Sequence, residues 1–331
     1  MKAIRIDAPG GPAVLQTVDC PIPQPAAGEV LVKAASIGVG KPDVLFRTGA
    51  YRWLPPLPAI PGAEMMGHVA ALGPGLEGLS VGQPVLVYSL KGGCYAEYNA
   101  VPASAVTALP AGIDPDLAVT IPNYQVAHAL LTEAARGART RWIYINGAAG
   151  GIGSAVIDLC RLRGLAVIAG ASSAAKCAFA LSQGATHAID YSQESVVDRV
   201  LALTGGQGVD LSLDHLIGPT FTDTLGMLAP FGLVVSFNML AGWPEQDLFR
   251  AMRAHLPRSP AVRCFTMHSY DADPATRQRL MQETIDLFAR GSVQPAIFRR
   301  MGLGEARAAH ELLDARAVLG KLVLKPDTAR A

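Results

Sequence analysis

The apolar residues of the first 120 positions fall in short runs that turn residues separate. The runs "EVLVKAASIGV", "GHVAALG" and "QPVLVYS" have the length and composition of strands, and Gly or Pro residues bound them. Turn signals recur regularly along this part of the chain. Residues 1–120 are therefore predicted to form a small, irregular, barrel-like β domain.

From about residue 121 the pattern changes to strand-length apolar runs that alternate with helical segments. The run "RWIYIN" predicts a strand, "GSAVIDLCRLRG" a helix that stops at a glycine, and "LAVIAGA" the next strand. The alternation continues through "AAKCAFALSQG" and "THAIDY". Helices between strands are typical of a parallel sheet that is covered on both faces. We predict an α/β domain here, followed by a β-type tail, "GKLVLKP".

The composition narrows the classes of function. Half of the 331 residues are apolar, 17% are charged and the formal net charge is +1. Neither a nucleic acid nor a membrane is therefore expected as the main partner. No window has the roughly 18 apolar residues of a membrane span, and the first residues, "MKAIRIDAPGG", lack a secretion signal. The five scattered cysteines favour free thiols in the cytoplasm.

The segment "GAAGGIGS" lies between the first predicted strand and the first helix of the α/β domain. Its spacing, Ala148-x-Gly150-x-x-Gly153, is a variant of the dinucleotide-binding fingerprint, with a plain glycine turn as the alternative. Small residues let a pyrophosphate approach the backbone N–H groups at the helix start, and the last glycine lets the helix pack closely. The predicted phosphate-binding residues are Ala149, Gly150, Gly151, Ile152 and Gly153.

The end of the second strand indicates which dinucleotide binds. An NAD site carries an acidic residue about 20 positions after the glycines, whereas "IAGASSAAK" offers hydroxyls and a cation. Ser172 and Lys176 suit the 2′-phosphate of NADP(H) through hydrogen bonding and charge. NADP(H) is therefore the predicted cofactor. The alternative interpretation of Lys176 is a solvated helix residue.

Five segments carry a resemblance to a known family: "AASIGVGKPDVLFRTGAY", "LPAIPGAEMMGHVAALG", "GAAGGIGSA", "QGATHAIDY" and "ARAVLGKLVL". The chain resembles the zinc-independent quinone oxidoreductases, the zeta-crystallin-like family of the medium-chain dehydrogenase/reductase superfamily. The resemblance implies a GroES-like domain over residues 1–120 and 291–331, with a Rossmann domain inserted over 121–290. It also implies a nicotinamide site in the cleft, a small-molecule substrate and a homodimer that pairs through "AVRCFTM", at 261–267.

The residues at the zinc positions of related alcohol dehydrogenases differ in this chain. Those enzymes carry a Cys and a His shortly before an Asp, and then Gly-His-Glu. This chain has Gly-Lys-Pro-Asp at 40–43 and Gly-Ala-Glu at 62–64. A cationic Lys41 opposes Zn²⁺, and a structural zinc would need a cysteine cluster that the sequence lacks. We therefore expect no metal.

Tyr51 is the candidate catalytic residue. The resemblance aligns it with a tyrosine near the nicotinamide in quinone reductases and with the proposed proton donor of 2-enoyl thioester reductases. A phenol there can hydrogen-bond a substrate carbonyl or supply a proton, and the alternative is that "AYRWLPPLP" forms an apolar lid.

Gly40 departs from the family, which usually has Asn there. Asp43 matches the family and is expected to cap or orient the local turn.

The resemblance implies further cofactor contacts. Gln125 corresponds to a threonine that touches the nicotinamide amide, and Tyr191 corresponds to a tyrosine on the adenine side. Asn238 falls in the loop beside the nicotinamide. Arg316 matches an arginine that reaches the 2′-phosphate in some relatives.

Two classes of function follow. The first is an NADPH-dependent oxidoreductase that transfers hydride to a quinone or an α,β-unsaturated carbonyl, including a 2-enoyl thioester, with the protein supplying orientation and hydrogen bonds. A thioester substrate favours a basic entrance, for which Lys41, Arg47 and Arg52 are candidates, although a solvated loop carries such charges too. The second class is a non-catalytic, NADPH-binding redox sensor.

Overall fold

The structure of the chain, a computed structural model, describes residues 1–326. These residues divide into two units. The first is Met1–Pro122 with the described part of Ile297–Ala331, and the second is Asn123–Ala296. The sequence placed the divisions after residues 120 and 290. The end of the predicted first domain, at 327–331, lies outside the described residues.

The strands are β1 (Lys2–Arg5), β2 (Gln16–Asp19), β3 (Glu29–Val39), β4 (Glu64–Leu72), β5 (Pro84–Tyr88), β6 (Tyr98–Pro102), β7 (Val106–Ala108), β8 (Trp142–Asn146), β9 (Ala166–Ala171), β10 (His187–Asp190), β11 (Val209–Asp214), β12 (Leu228–Ser236), β13 (Ala261–Cys264), β14 (Ile297–Gly302) and β15 (Lys321–Lys325).

The α-helices are α1 (Lys41–Thr48), α2 (Pro115–Ala118), α3 (Ile121–Ala129), α4 (Gly151–Leu162), α5 (Ala174–Ser182), α6 (Val196–Leu203), α7 (Leu248–Ala254), α8 (Pro274–Ala289) and α9 (Ala306–Asp314). A π-helical turn at Leu130–Ala134 continues α3. Short 3₁₀ helices lie at Pro12–Val14, Ala103–Ala105, Phe221–Met227, Leu256–Arg258, Met267–Tyr270 and Leu303–Glu305.

The first unit is built on a seven-stranded sheet. Its order is β14-β15-β3-β4-β5-β7, and β6 also pairs with β3. β3 is the longest of these strands, and its apolar side chains Val30, Val32 and Ile37 are fully buried in the core of the unit. β15 pairs antiparallel with β3. The C-terminal β segment therefore joins the sheet that the N-terminal part of the chain begins.

The second unit is built on six parallel strands in the order β10-β9-β8-β11-β12-β13. Counted within the unit, this is the 3-2-1-4-5-6 order of a doubly wound dinucleotide-binding sheet. Ile143, Ile145, Leu211 and Leu213 of the two central strands are fully buried, as a sheet covered on both faces requires. The strand order reverses between β8 and β11, and ligands bind such sheets at the carboxyl ends of the strands at that point.

The predicted fold class, a GroES-like β-rich domain and a Rossmann domain with a doubly wound parallel sheet, is confirmed. The segment "AVRCFTM" forms β13, which stands at the edge of the parallel sheet, as the sequence predicted. β13 is shorter than the predicted segment because Phe265 and Thr266 leave the sheet and a 3₁₀ helix begins at Met267.

Candidate functional site

The glycine turn between β8 and α4 forms the first part of the site. Gly147 has φ +67°, and a side chain there would collide with the ring of His215. Gly150 is exposed and caps α4, which begins at Gly151. A Cβ on Gly153 would lie 2.7 Å from the backbone of Ala148, so only glycine lets α4 approach the turn this closely. The helix therefore presents its N-terminal N–H groups at the carboxyl end of the sheet.

The other two predicted phosphate-binding residues lie in the same turn. Ala149 is 5% exposed, and Ile152 is half-buried in the first turn of α4. The N–H of Ala148 donates to the carbonyl of Gly170 at 3.0 Å, which fastens the turn to β9.

Ser172 and Lys176 lie together immediately after β9. The Nζ of Lys176, in the first turn of α5, donates to the Oγ of Ser172, which precedes the helix, at 2.9 Å. Ser173 caps α5 by accepting the N–H of Lys176 at 3.4 Å. A cation and two hydroxyls therefore stand at the end of the second strand, where a Rossmann sheet contacts the ribose of the nucleotide.

The other predicted cofactor contacts of the second unit are spread over three elements. Tyr191 follows β10 and is half-buried, and its N–H donates to the carbonyl of Ala171 at 3.0 Å. Asn238 is exposed after β12, and its Oδ1 accepts the N–H of Met239 at 2.9 Å. Gln125 is buried in α3 and donates through Nε2 to the carbonyl of Arg277 at 3.2 Å. Their cofactor roles stay predictions.

His215 and Asn146 are two polar residues at this edge that the sequence reasoning missed. His215 follows β11, and burial lowers the pKa of its imidazole below the usual 6.5. Asn146 donates to Asp214 at 3.4 Å, while its buried Oδ1 has no partner among the described residues. An unpaired buried acceptor beside the glycine turn fits a hydroxyl-bearing ligand such as a dinucleotide. The available signal was their place, Asn146 at the end of β8 and His215 directly after β11, where the strand order reverses.

Tyr51 belongs to an aromatic cluster in the first unit. Its ring centroid lies 6.0 Å from that of Phe46 and 5.5 Å from that of Trp53, and the guanidinium of Arg52 lies over the indole at 5.6 Å. The phenol is half-buried. Burial and the charge of Asp43 raise its pKa from 10.0 to about 12, so Tyr51 carries its proton at neutral pH.

Asp43 lies in a buried polar group at the start of α1. Its Oδ2 accepts the N–H of Gly40 at 2.8 Å and its Oδ1 accepts the N–H of Ala63 at 2.9 Å, which confirms the predicted capping role. Glu64 forms a buried ion pair with Lys321. Burial first, and then the charge of Glu64, raises the pKa of Asp43 from 3.8 to about 7.

Three arginines and one lysine were candidates for functional contacts in the first unit. Arg47 was a candidate for a basic entrance, and this was wrong, since it is 2% exposed and binds Asp314 through two hydrogen bonds of 2.8 and 3.0 Å. Lys41 and Arg52 are exposed. Arg316 is exposed in a left-handed turn after α9, with φ +54°, and its cofactor role stays a prediction.

Across residues 1–326, no three His, Cys, Asp or Glu side chains are grouped so that they could hold a metal ion. Within the same residues, no helix has the length and apolar character needed to span a membrane.

Two family models match the chain. The "Alcohol dehydrogenase GroES-like domain" matches residues 26–111, and the "Zinc-binding dehydrogenase" domain matches residues 183–324. A quinone oxidoreductase of Pseudomonas aeruginosa is 33% identical over 328 residues, covering 98% of this chain and 99% of that protein.

Two solved structures have the same fold. The Escherichia coli quinone oxidoreductase complexed with NADPH superposes with a TM-score of 0.88 at 27% identity, covering 98% of this chain and all of that one. A mycobacterial protein complexed with NADPH superposes with a TM-score of 0.87 at 31% identity and the same coverage. The prediction of NADP(H) as cofactor is thereby confirmed at the level of these relatives.

Proposed function

Because the chain belongs to the quinone oxidoreductase family of the medium-chain dehydrogenase/reductases, and is an oxidoreductase, we propose that it reduces quinones and α,β-unsaturated carbonyls with NADPH and without zinc. One observation carries the cofactor part of this proposal. The glycine turn at the start of α4 stands beside the Ser172–Lys176 pair, on neighbouring strands of one parallel sheet. The turn supplies backbone N–H groups for a pyrophosphate, and the pair supplies a cation and a hydroxyl for a 2′-phosphate.

The absence of zinc from the reaction is supported by the residues at the zinc positions. Gly40 and Ala63 have no ligand atoms in their side chains. A Cβ on Gly40 would lie 3.6 Å from the Nζ of Lys321. An ammonium group therefore lies close to the space into which the side chain of a metal ligand at position 40 would extend. Lys321 also engages Glu64. Because a cation repels Zn²⁺ at this range, these residues do not fit a catalytic zinc.

In this proposal the protein positions the acceptor and controls one proton. NADPH, when bound, supplies the hydride from C4 of its nicotinamide. The cluster of Phe46, Tyr51 and Trp53 offers aromatic surfaces against which a flat quinone or enone packs. The phenol of Tyr51, protonated at neutral pH, hydrogen-bonds the acceptor carbonyl and gives a proton to the enolate of an enone after hydride transfer.

The proposal extends to location and assembly. The five cysteines are free thiols, which suits a reducing cytoplasm. We propose a homodimer that pairs through β13, because this strand stands at the edge of the parallel sheet and an unpaired edge is an aggregation risk. The partner in catalysis is a small molecule rather than a nucleic acid, in keeping with the formal net charge of +1.

The test is NADPH oxidation by purified protein with a panel of acceptors, followed as loss of the reduced-nicotinamide absorbance. The panel holds an ortho-quinone, a para-quinone, a simple enone and a trans-2-enoyl thioester, with NADH as the alternative donor. We expect turnover of the quinones or the enone, with NADPH preferred, and the same rate after treatment with a zinc chelator.

Each of the other possible outcomes identifies the part of the proposal that fails. Turnover of the thioester alone makes the chain a 2-enoyl thioester reductase. Tight NADPH binding without turnover of any acceptor supports a redox sensor instead. Loss of activity in the chelator, with recovery on added zinc, contradicts the zinc-independent part.

A further inference from the structure

The amide side chain of Asn146 stands at the end of β8, beside Asp214 at the end of β11. Its Nδ2 donates to Oδ2 of Asp214 at 3.4 Å. Because a carboxylate only accepts, the amide nitrogen faces Asp214, and this fixes which amide atom is which. The other atom, Oδ1, is buried and has no partner within residues 1–326. Buried acceptors are normally satisfied, so a donor from a ligand is expected to complete this one.

Asp214 holds that amide in one orientation. It is 1% exposed, and its Oδ1 accepts the N–H groups of Leu216 at 2.7 Å and Ile217 at 3.0 Å. Ile217 has φ +56°, a left-handed conformation that a β-branched residue rarely adopts, and the two hydrogen bonds stabilise the turn that contains it. Because the carboxylate is fixed by this turn, the amide that donates to it is held as well. The free acceptor of Asn146 is therefore preorganised, which lowers the cost of binding a ligand.

The groups around Oδ1 of Asn146 favour a neutral donor over a phosphate. Phosphate oxygens accept hydrogen bonds, and both Oδ1 and the carboxylate of Asp214 are acceptors that would repel them. His215 lies against the glycine turn, since a Cβ on Gly147 would fall 2.1 Å from its Cε1. Burial lowers the pKa of this imidazole below 6.5, so the ring is neutral at pH 7 and brings no positive charge. The ligand group that Oδ1 takes is therefore a hydroxyl or an amide N–H.

The order of the strands selects between these two donors. β9, β8 and β11 are successive neighbours in the parallel sheet. The Ser172–Lys176 pair after β9 suits the 2′-phosphate of the adenosine, and the glycine turn after β8 suits the pyrophosphate. In the dinucleotide the group that follows the pyrophosphate is the second ribose, to which the nicotinamide is bonded. Asn146 and Asp214 bridge β8 and β11, the next step along the sheet edge, which matches the place of that ribose.

We propose that Asn146 is a cofactor-binding residue whose Oδ1 accepts a hydrogen bond from a hydroxyl of the nicotinamide-side ribose of NADPH. The hydrogen bond anchors the sugar that carries the nicotinamide ring. The inference rests on the proposed function, since it takes NADPH as the hydride donor. It assigns to the end of β8 a contact with the nicotinamide half of the cofactor, separate from the contacts to its phosphates.

The test measures, by calorimetry, the binding of three nucleotides to the complete chain and to Asn146→Leu. Leucine has a similar size to asparagine and no acceptor atom. The nucleotides are NADPH, 2′-phospho-ADP-ribose, which has the second ribose without the nicotinamide, and 2′,5′-ADP, which lacks the second ribose. We expect the Kd of the first two to rise about tenfold in the variant, as loss of a hydrogen bond to a buried acceptor predicts, and the Kd of 2′,5′-ADP to stay unchanged.

Two variants serve as controls. Lys176→Ala removes the cation beside Ser172 and should weaken all three nucleotides, because each carries the 2′-phosphate. Asn99→Leu makes the same replacement at a half-buried amide of β6, which donates to the Sγ of Cys94 at 3.7 Å in the first unit, and should weaken none of them. Thermal unfolding of each variant without nucleotide shows whether it is folded.

A second measurement does not depend on the folding of a variant. The unmodified chain is titrated with an NADPH analogue whose nicotinamide-side ribose lacks both hydroxyls. We expect the analogue to bind at least about tenfold more weakly than NADPH. In folded Asn146→Leu the ratio of the two Kd values should be about tenfold smaller, because the partner of the hydroxyl is already absent.

The remaining outcomes contradict the ribose contact or separate it from the proposed function. Weakening of NADPH alone would mean that Oδ1 takes the amide of the nicotinamide, and weakening of 2′,5′-ADP as well would mean a general disturbance of the site. Unchanged affinity for all three nucleotides, or an analogue that binds the unmodified chain as tightly as NADPH, also overturns the assignment. If the nucleotides bind as expected but no acceptor is reduced, the ribose contact stands and the proposed reductase activity has failed.

Discussion

Gly40 is the residue at which the chain departs most clearly from the family that it resembles. A Cβ there would meet Pro42 at 3.5 Å and the Nζ of Lys321 at 3.6 Å, which are ordinary contact distances. Glycine is therefore not required by packing at this position. The missing amide leaves the ammonium of Lys321 as the polar group nearest to that space. The clearest difference between this site and that of the family is thus the loss of a side chain at position 40.

Tyr51→Phe tests the proton donor at the residue scale. We expect kcat for enone reduction to fall about 100-fold, the usual contribution of a positioned general acid. Quinone reduction should fall less, because a quinone anion can take its proton from water. Tyr98→Phe, which changes a half-buried phenol in β6, is the control and should leave both rates unchanged. Equal and small losses with both acceptors would make "AYRWLPPLP" an apolar lid.

Lys176→Ala tests the assignment of the 2′-phosphate. We expect the Kd for NADPH to rise about 10- to 100-fold, as loss of a charge-assisted hydrogen bond predicts. The Kd for NADH should change little, because NADH lacks that phosphate, so NADH serves as the internal control. Titration of the nucleotide fluorescence measures both constants. Equal weakening of the two nucleotides would contradict a specific contact between Lys176 and the 2′-phosphate.

At the scale of elements, two glycines at the junction of β8 and α4 are predicted to have different roles. Gly150 is predicted to serve binding, and Gly153 to serve packing. A Cβ on Gly150 meets only the carbonyl of Gly147, at 3.6 Å, whereas a Cβ on Gly153 lies 2.7 Å from the backbone of Ala148. Gly150→Ala should weaken NADPH about tenfold, with an unchanged Tm. Gly153→Ala should cost about 1–3 kcal/mol of stability through overpacking, and lower the Tm.

These two variants control for each other, and thermal unfolding with and without NADPH measures both effects. A normal Tm in Gly153→Ala would mean that α4 can move away from the turn without cost. Unchanged NADPH affinity in Gly150→Ala would mean that the phosphates do not approach this backbone.

The elements of the fold were predictable from the sequence because their signals are local. The glycine turn and the alternation of strands and helices each depend on a few neighbouring residues, whereas the edge strand β13 was predicted through the family resemblance. The hydrogen bond between the buried side chains of Tyr95 and His310 was not predictable, since the two residues lie 215 positions apart. Arg47 was taken for a surface cation for the same reason. Its partner, Asp314, is 267 positions away, and a charged residue in a short helix normally faces solvent.

At the scale of the whole molecule, the edge of the parallel sheet predicts a dimer. Among residues 1–326, β13 pairs with β12 on one side and with no strand on the other, and Cys264 is exposed on it. Cys264→Lys places a charge on this edge in each copy, and two such strands would repel one another when paired. We expect light scattering to give the mass of a dimer for the unmodified protein and half that mass for Cys264→Lys. Leu181→Lys, a change at another exposed position, on α5, should stay dimeric. If Cys264→Lys remains a dimer, the interface lies elsewhere. If the unmodified protein is a monomer, β13 remains an open edge, and the chain then avoids aggregation because that strand is short.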